Sequence, residues 1–154
     1  MFTYHLEKKE SFMRFVLSFI FLFVTSLSFA AHKIPAFTGP DFTGVYQCTG
    51  LDMHEGEYKG KVTLKLKKEH SQAQYGSYDF LLEVPGFGKY PGHMAANGLS
   101  AAMHFALENQ STHDFGTGIS QFSKNAKGQW QFHKFYFEPL FKGGNSGFED
   151  CVKQ

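Results

Sequence analysis

Arginine is almost missing from this chain. Of the 15 basic residues among its 154, only Arg14 is an arginine, and it lies in an N-terminal stretch expected to be removed. What remains has no guanidinium fork to grip a carboxylate or phosphate in bidentate fashion, which argues against nucleotides and phosphorylated substrates. An excess of charge of either sign is missing too. Taking Lys8, Lys9 and Arg14 from the 15 basic residues, and Glu7 and Glu10 from the 14 acidic ones, leaves 12 of each. Nucleic-acid binders cluster Lys and Arg to release counterions from phosphates, and a balanced surface has no such footprint. Cysteine is scarce, with only Cys48 and Cys151 present. There is no Gly-x-Ser-x-Gly nucleophile elbow and no phosphate-cradling glycine loop, so the usual signatures of hydrolases and nucleotide enzymes are absent. No segment sustains a helical period.

What is present begins with an export signal. Lys8, Lys9 and Arg14 precede an apolar run from Phe15 to Leu27, and Ser28-Phe29-Ala30 places small residues where a signal peptidase reads. The run falls short of the roughly 20 residues that span a bilayer, so a cleavable signal over 1–30 is favoured over a membrane anchor. Met13, directly before Arg14, offers a second start position. Removing 30 of 154 residues leaves 124: one domain, large enough to bury a core without depending on cross-links. The expected product is an exported protein, periplasmic or secreted, with no membrane span.

Residues 31–41, with Pro35, Gly39 and Pro40, read as an extended lead-in to a single domain over 42–154. From Phe42 onward the period is two. Phe42, Gly44, Tyr46 and Cys48 share one face of a first strand that runs to Gly50, followed by a polar loop from Leu51 to Glu57. Tyr58 to Lys68 alternates most cleanly, with Tyr58, Val62, Leu64 and Leu66 opposed to four lysines and Thr63. One face in a core and one in water is the reading. A third strand, Tyr75 to Val84, sends Tyr78, Phe80, Leu82 and Val84 inward. Pro85 to Gly92 reads as a loop. Asn97-Gly98 predicts a type I′ hairpin that pairs Ala96 with Leu99, Met94 with Ala101 and Gly92 with Met103. A sixth strand, Asp114 to Phe122, contains Gly116 and Gly118, which suggests a bulge. A seventh, Gln129 to Glu138, has Trp130, Phe132 and Tyr136 on one face and Phe135 and Phe137 on the other. After a Gly143–Gly147 loop, Phe148 to Val152 is the last.

About eight antiparallel strands with short connections make an all-β domain, either an up-and-down barrel or a β-sandwich. In an oxidising compartment two cysteines read as a disulfide. Cys48 and Cys151 lie on the first and last strands, which a closed barrel must pair, so they favour the barrel. Eight strands leave an interior that side chains fill or that holds one small ligand.

The opening Phe42-Thr43-Gly44-Val45-Tyr46 resembles the Gly-x-Trp start of lipocalins and other calycins, with Tyr46 in place of the tryptophan. The resemblance is confined to this opening. The arginine that packs on that tryptophan in the family has no counterpart here. Tyr46-Gln47-Cys48 is similar to the start of periplasmic lysozyme inhibitors, but their Ser-Gly-x-x-Tyr loop is absent. Neither resemblance transfers a site residue; the calycin one implies a barrel that carries a small apolar ligand.

The candidate sites follow from this frame. A carrier would line its interior with Tyr46, Leu64, Phe80, Met103 and Phe105, and its mouth with Phe87 and Tyr90 from the third loop. A protein-interaction module or inhibitor would instead use Phe87, Tyr90 and the aromatic strand, whose two faces cannot both be inside. His93 and His104 fall on one outer face as diagonal neighbours, close enough to share a metal ion, though with no third ligand in view solvated surface histidines are the favoured reading. His113 and Asp114 follow in the next turn. Asp52, His54, Glu55 and Glu57 form a polar rim loop without calcium-loop spacing. His133 is either a general base or a surface residue. Asn109-Gln110-Ser111 fits a glycosylation acceptor. No cofactor is implied, and non-catalytic binding is the expected role, of a small apolar ligand or of a protein partner.

Overall fold

A computed structural model describes residues 34–154; the signal-peptide reading lies outside them. Eight strands follow one another in an antiparallel meander: β1 Gly44–Asp52, β2 Gly56–Leu66, β3 Tyr75–Val84, β4 Gly88–Asn97, β5 Ser100–Ala106, β6 Phe115–Lys124, β7 Trp130–Glu138 and β8 Asn145–Lys153. Each pairs with the next, and β8 pairs back with β1, closing the barrel. The sandwich alternative is thereby excluded. Among the described residues no helix is long and apolar enough to cross a membrane.

The seam carries the disulfide. Cys48 stands directly opposite Cys151 in the β1–β8 register, and the two are bonded. Both are buried. The period-two pattern explains the rest of the interior: Val62 and Leu64 of β2, Tyr78, Phe80, Leu82 and Val84 of β3, Met94 of β4 and Met103 and Phe105 of β5 are all buried, as alternation requires.

Several local expectations are corrected. The Asn97-Gly98 hairpin forms, but its two-residue turn is Gly98-Leu99, flanked by the pair Asn97 and Ser100. Gly98 has φ of 59° while Asn97 is not among the positive-φ residues, so the turn has glycine at the first central position, as type II′ turns do. Asn97 is occupied elsewhere: its Oδ1 accepts from Gln74 Nε2 at 2.7 Å. The register moves by two residues, to Ala96–Ala101, Met94–Met103 and Gly92–Phe105. A two-residue shift preserves the face of every side chain, so the core survives. Only Leu99 loses its place and becomes exposed.

The supposed loop Pro85–Gly92 shrinks to a turn at Pro85–Phe87, because β4 begins at Gly88. Pro91 is tolerated where β4 is paired only with β3, one residue beyond its last pair with β5. The loop Leu51–Glu57 likewise shrinks to Met53–Glu55, and β8 starts earlier than Phe148. Gly116 and Gly118 make no bulge; the β5–β6 ladder runs through both, and the β6–β7 ladder, which begins at Thr117, is unbroken. They are glycines because space is short. A Cβ on Gly116 would lie 2.7 Å from the Phe137 carbonyl oxygen, and one on Gly118 3.2 Å from the Lys134 side chain.

Candidate functional site

The two ends of the barrel differ in chemistry. At one end the lead-in folds back. Thr38 and Gly39 donate their N–H groups to the Ala73 carbonyl, and Tyr78 donates its hydroxyl to the Pro40 carbonyl at 2.9 Å. This places Phe42, predicted as the first strand residue, ahead of β1 as a plug. Its ring stacks on Phe122 with centroids 3.9 Å apart and meets Trp130 edge-on. Tyr46 donates to the Phe42 carbonyl. That end is packed with aromatics.

The other end is polar inside. Strand parity dictates this: continuing inward from Tyr46 and Cys48 brings Asp52 to the end of β1. On β7, Phe132 and Tyr136 share their face with Lys134 and Glu138, and on β8 Cys151 shares its face with Glu149 and Asn145. All of these are buried. Lys134 and Glu149 are directly opposed, with Lys134 Nζ 2.5 Å from Glu149 Oε2 and both side chains essentially without solvent contact. The rings of Phe105, Tyr136 and Phe80 surround the ammonium at 5.2, 5.3 and 5.5 Å, a geometry that stabilises a desolvated cation. Tyr58 donates to Glu149 Oε1.

Above this pair lies a second network. Tyr136 donates to Asp52 Oδ2 at 2.7 Å. Asn145 Nδ2 donates to the same oxygen and to Glu138 Oε2, and so bridges the two carboxylates. Tyr90 donates to Asp114 Oδ2 at 2.9 Å, and Asp114 lies close enough to Glu138 for its charge to act on it. A cavity of about 50 Å³ opens here, walled by Tyr90, Phe105, Tyr136, Lys134, Asp52 and Glu138, with Phe87 and Phe141 at its edge. By the measure on which one water needs about 10–15 Å³, it admits a handful of non-hydrogen atoms. Lys142 pairs with Glu55 across the rim.

The carboxylates are tuned apart. Burial pushes Glu138 up to about 7, reinforced by the negative charges of Asp114 and Asp52 and only partly offset by Asn145. Burial raises Asp114 as well. Asp52 is buried too, but the hydrogen bonds from Asn145, the Glu55 N–H, Tyr136 and the His54 N–H outweigh that and hold it below the usual range. Because the folded protein binds the Glu138 proton more tightly than the unfolded chain, the Glu138 contribution is intact below about pH 4.5 and is lost as pH rises through about 7. Asp52 acts oppositely, losing its contribution only as pH falls through its own low value. Glu138→Gln keeps the acceptor for Asn145 and removes the charge that burial disfavours. The variant is expected to be more stable than wild type at pH 8 by about 1–3 kcal/mol, after allowance for solvent screening. Thermal melts at pH 4 and pH 8 check this: the advantage should vanish at pH 4.

The candidates drawn from sequence divide in two. Phe105, Tyr90 and Phe87 line the cavity. Tyr90 does so from within β4, not from a flexible loop. Tyr46, Leu64, Phe80 and Met103 are buried in the core and are not among the residues that wall the cavity. His93 and His104 are directly opposite rather than diagonal, with ring centroids 5.5 Å apart, and no third ligand joins them: among the described residues, the one compact group of three potential ligands is Cys48, Glu149 and Cys151, whose sulfurs are consumed by the disulfide. Asp114 turns into the mouth, away from that pair. His133 is on the outer surface, bonded to Asp150 at 2.8 Å. The missed residues are Lys134, Glu138, Asn145 and Glu149. Their signal was the same parity that placed Tyr136 and Cys151 inside.

Outside, Ile119, Phe135, Phe148 and Leu51 stand on one register row across β6, β7, β8 and β1, each at least 39% exposed. Comparison of the chain with protein-family models, curated proteins and solved structures finds no match to any of them.

Proposed function

We propose that this is an exported, non-catalytic binding protein that holds a small ligand in the polar mouth of its barrel, a lipocalin-like arrangement in architecture. The observation that carries the reading is the contrast between the two ends. One end is plugged by Phe42, Phe122 and Trp130, while the other keeps a cavity among Tyr90, Phe105, Tyr136 and buried ionisable groups. A concave, partly aromatic site with a few fixed polar groups is the usual form of a small-molecule pocket. The apolar ligand suggested by the calycin resemblance has less support than a polar one, since the purely apolar positions serve as core. Export is supported by the disulfide, which persists in oxidising compartments.

A second reading, a protein-contact module, is favoured by the exposed row Ile119–Phe135–Phe148–Leu51; its simplest occupant is a second copy of the chain. Native mass spectrometry of the protein, purified without detergent from its export compartment, separates the two. Carriage predicts extra mass that is lost on denaturation. A bare monomer mass counts against both, and a bare dimer mass moves the assignment to the outer face.

A further inference from the structure

A buried nucleophile stands in the wall of the mouth cavity. Lys134 lines that cavity although its side chain is shut off from solvent. Its Nζ lies 5.2 Å from the Phe105 ring and 5.3 Å from the Tyr136 ring. Both rings are walls of the same cavity, which places the amine beside the void. The contact with Glu149 Oε2 is close but is not aligned as a hydrogen bond. Among the described residues neither Lys134 Nζ nor Glu149 Oε2 has a hydrogen-bond partner. An ammonium carries three donors, and a buried polar group without an aligned partner is rare in a native protein. The rest of the mouth narrows what that partner is. Asp52, Asp114 and Glu138 are buried around the cavity, so carboxylates and phosphates are turned away. A volume of about 50 Å³ takes only a handful of non-hydrogen atoms. A small, neutral molecule with an electrophilic carbonyl meets all three conditions.

We propose that the mouth captures a small aliphatic aldehyde as an imine on Lys134 Nζ, with Glu149 carrying the proton. The inference rests on the mouth being the ligand site. Lysines in apolar, desolvated surroundings are the amines of Schiff-base chemistry. Lys134 passes a proton to Glu149 Oε2, 2.5 Å away, and the freed amine adds to the aldehyde carbon. The C–N bond forms as the carbonyl π electrons move to oxygen, and a proton passes from the nitrogen to that oxygen. Glu149 then returns its proton to the new hydroxyl, the C–O bond breaks and water leaves. What remains is an iminium beside a restored carboxylate. One aldehyde is consumed and one water released, with nothing oxidised or reduced. The site begins and ends as one cation against one anion, so no unpaired charge is buried. The rings of Phe80, Phe105 and Tyr136 that surround the ammonium serve the iminium equally. Tyr58 donates to the other oxygen, Glu149 Oε1, which leaves Oε2 to move the proton.

The test is reductive trapping. The mature protein is incubated at pH 8 with limiting butanal and sodium cyanoborohydride, which reduces an iminium to a stable secondary amine. Peptide mass spectrometry then locates the labelled lysines. Lys134 should be labelled roughly tenfold or more ahead of the exposed Lys59 and Lys65, and unfolding in urea should abolish that preference. Glu149→Gln, checked for folding by circular dichroism, should lower labelling of Lys134 by roughly tenfold or more and leave Lys59 and Lys65 unchanged. Labelling of Lys134 no faster than that of the exposed lysines overturns the assignment in the wild-type protein alone, whether or not the variant folds. Undiminished labelling of Lys134 in the folded variant overturns the part given to Glu149. Calorimetric titration with n-butanol, which matches butanal in size but cannot condense, separates two failures. Saturable binding of butanol without labelling of Lys134 overturns covalent capture and leaves the mouth as a ligand site. Neither binding nor labelling counts against both together.

Discussion

Lys134→Met should destabilise the barrel by about 3–5 kcal/mol, the penalty for leaving one partner of a buried ion pair alone. Methionine matches the length of the lysine stem, so little packing volume is lost and the effect reports charge. In the variant the Glu149 carboxylate keeps only the Tyr58 hydroxyl, in a site with no solvent contact. The opposite single change, Glu149→Leu, strands the ammonium among Phe80, Phe105 and Tyr136 and should cost a similar amount. The double variant should behave differently. Once both charges are gone, neither needs desolvation, and a well-packed apolar replacement of a buried pair is often neutral or stabilising by about 1–4 kcal/mol. Urea denaturation of wild type, both singles and the double closes the cycle. Single variants within 1 kcal/mol of wild type, or a double variant whose loss equals the sum of the singles, would show that the pair is not the coupled unit described here.

The second large effect belongs to the seam. Replacing Cys48 and Cys151 together by alanine opens a covalent loop with a sequence separation of 103. The chain-entropy account attributes about 4.7 kcal/mol to closing a loop of that size. An observed loss of about 3–5 kcal/mol is expected. Alanine is the right replacement because both sulfurs are buried and a hydroxyl would lack a partner. The β1–β8 ladder from Tyr46 to Asp52 remains, so the folded barrel should keep its far-ultraviolet spectrum. The distinguishing reading is the urea m-value. If the cross-link acts on the denatured chain, freeing it exposes more surface on unfolding and m rises. An unchanged m with a lower midpoint would place the effect in the folded seam instead.

Alternation over Tyr58–Leu66 and Tyr78–Val84 determined those strands and their inner faces from sequence alone, because a β-strand's side chains have a period of two and one face must leave water; over Gln129–Glu138 it gave the strand, but with aromatics on both faces it did not choose the inner one. The positions of Cys48 and Cys151 at opposite ends of the domain favoured closure, and the pairing of β8 with β1 decided it against the sandwich. The glycine of the β4–β5 hairpin was legible as well, but its turn was not. Asn97-Gly98 and Gly98-Leu99 preserve the same faces, so alternation could not choose between them; in the fold Asn97 is a paired strand residue that also accepts from Gln74, which lies in a different turn. The mouth was decided only in three dimensions. Lys134, Glu138, Asn145 and Glu149 share the inward parity of Tyr136 and Cys151, yet a charged residue at an inward position is unfavourable until its partner is known. Those partners come from distant parts of the chain: Asp52 meets Asn145 across 93 residues, and Tyr58 meets Glu149 across 91. Alternation gives direction, whereas the pairing of buried charges depends on which strands become neighbours, and closure of the barrel alone sets that.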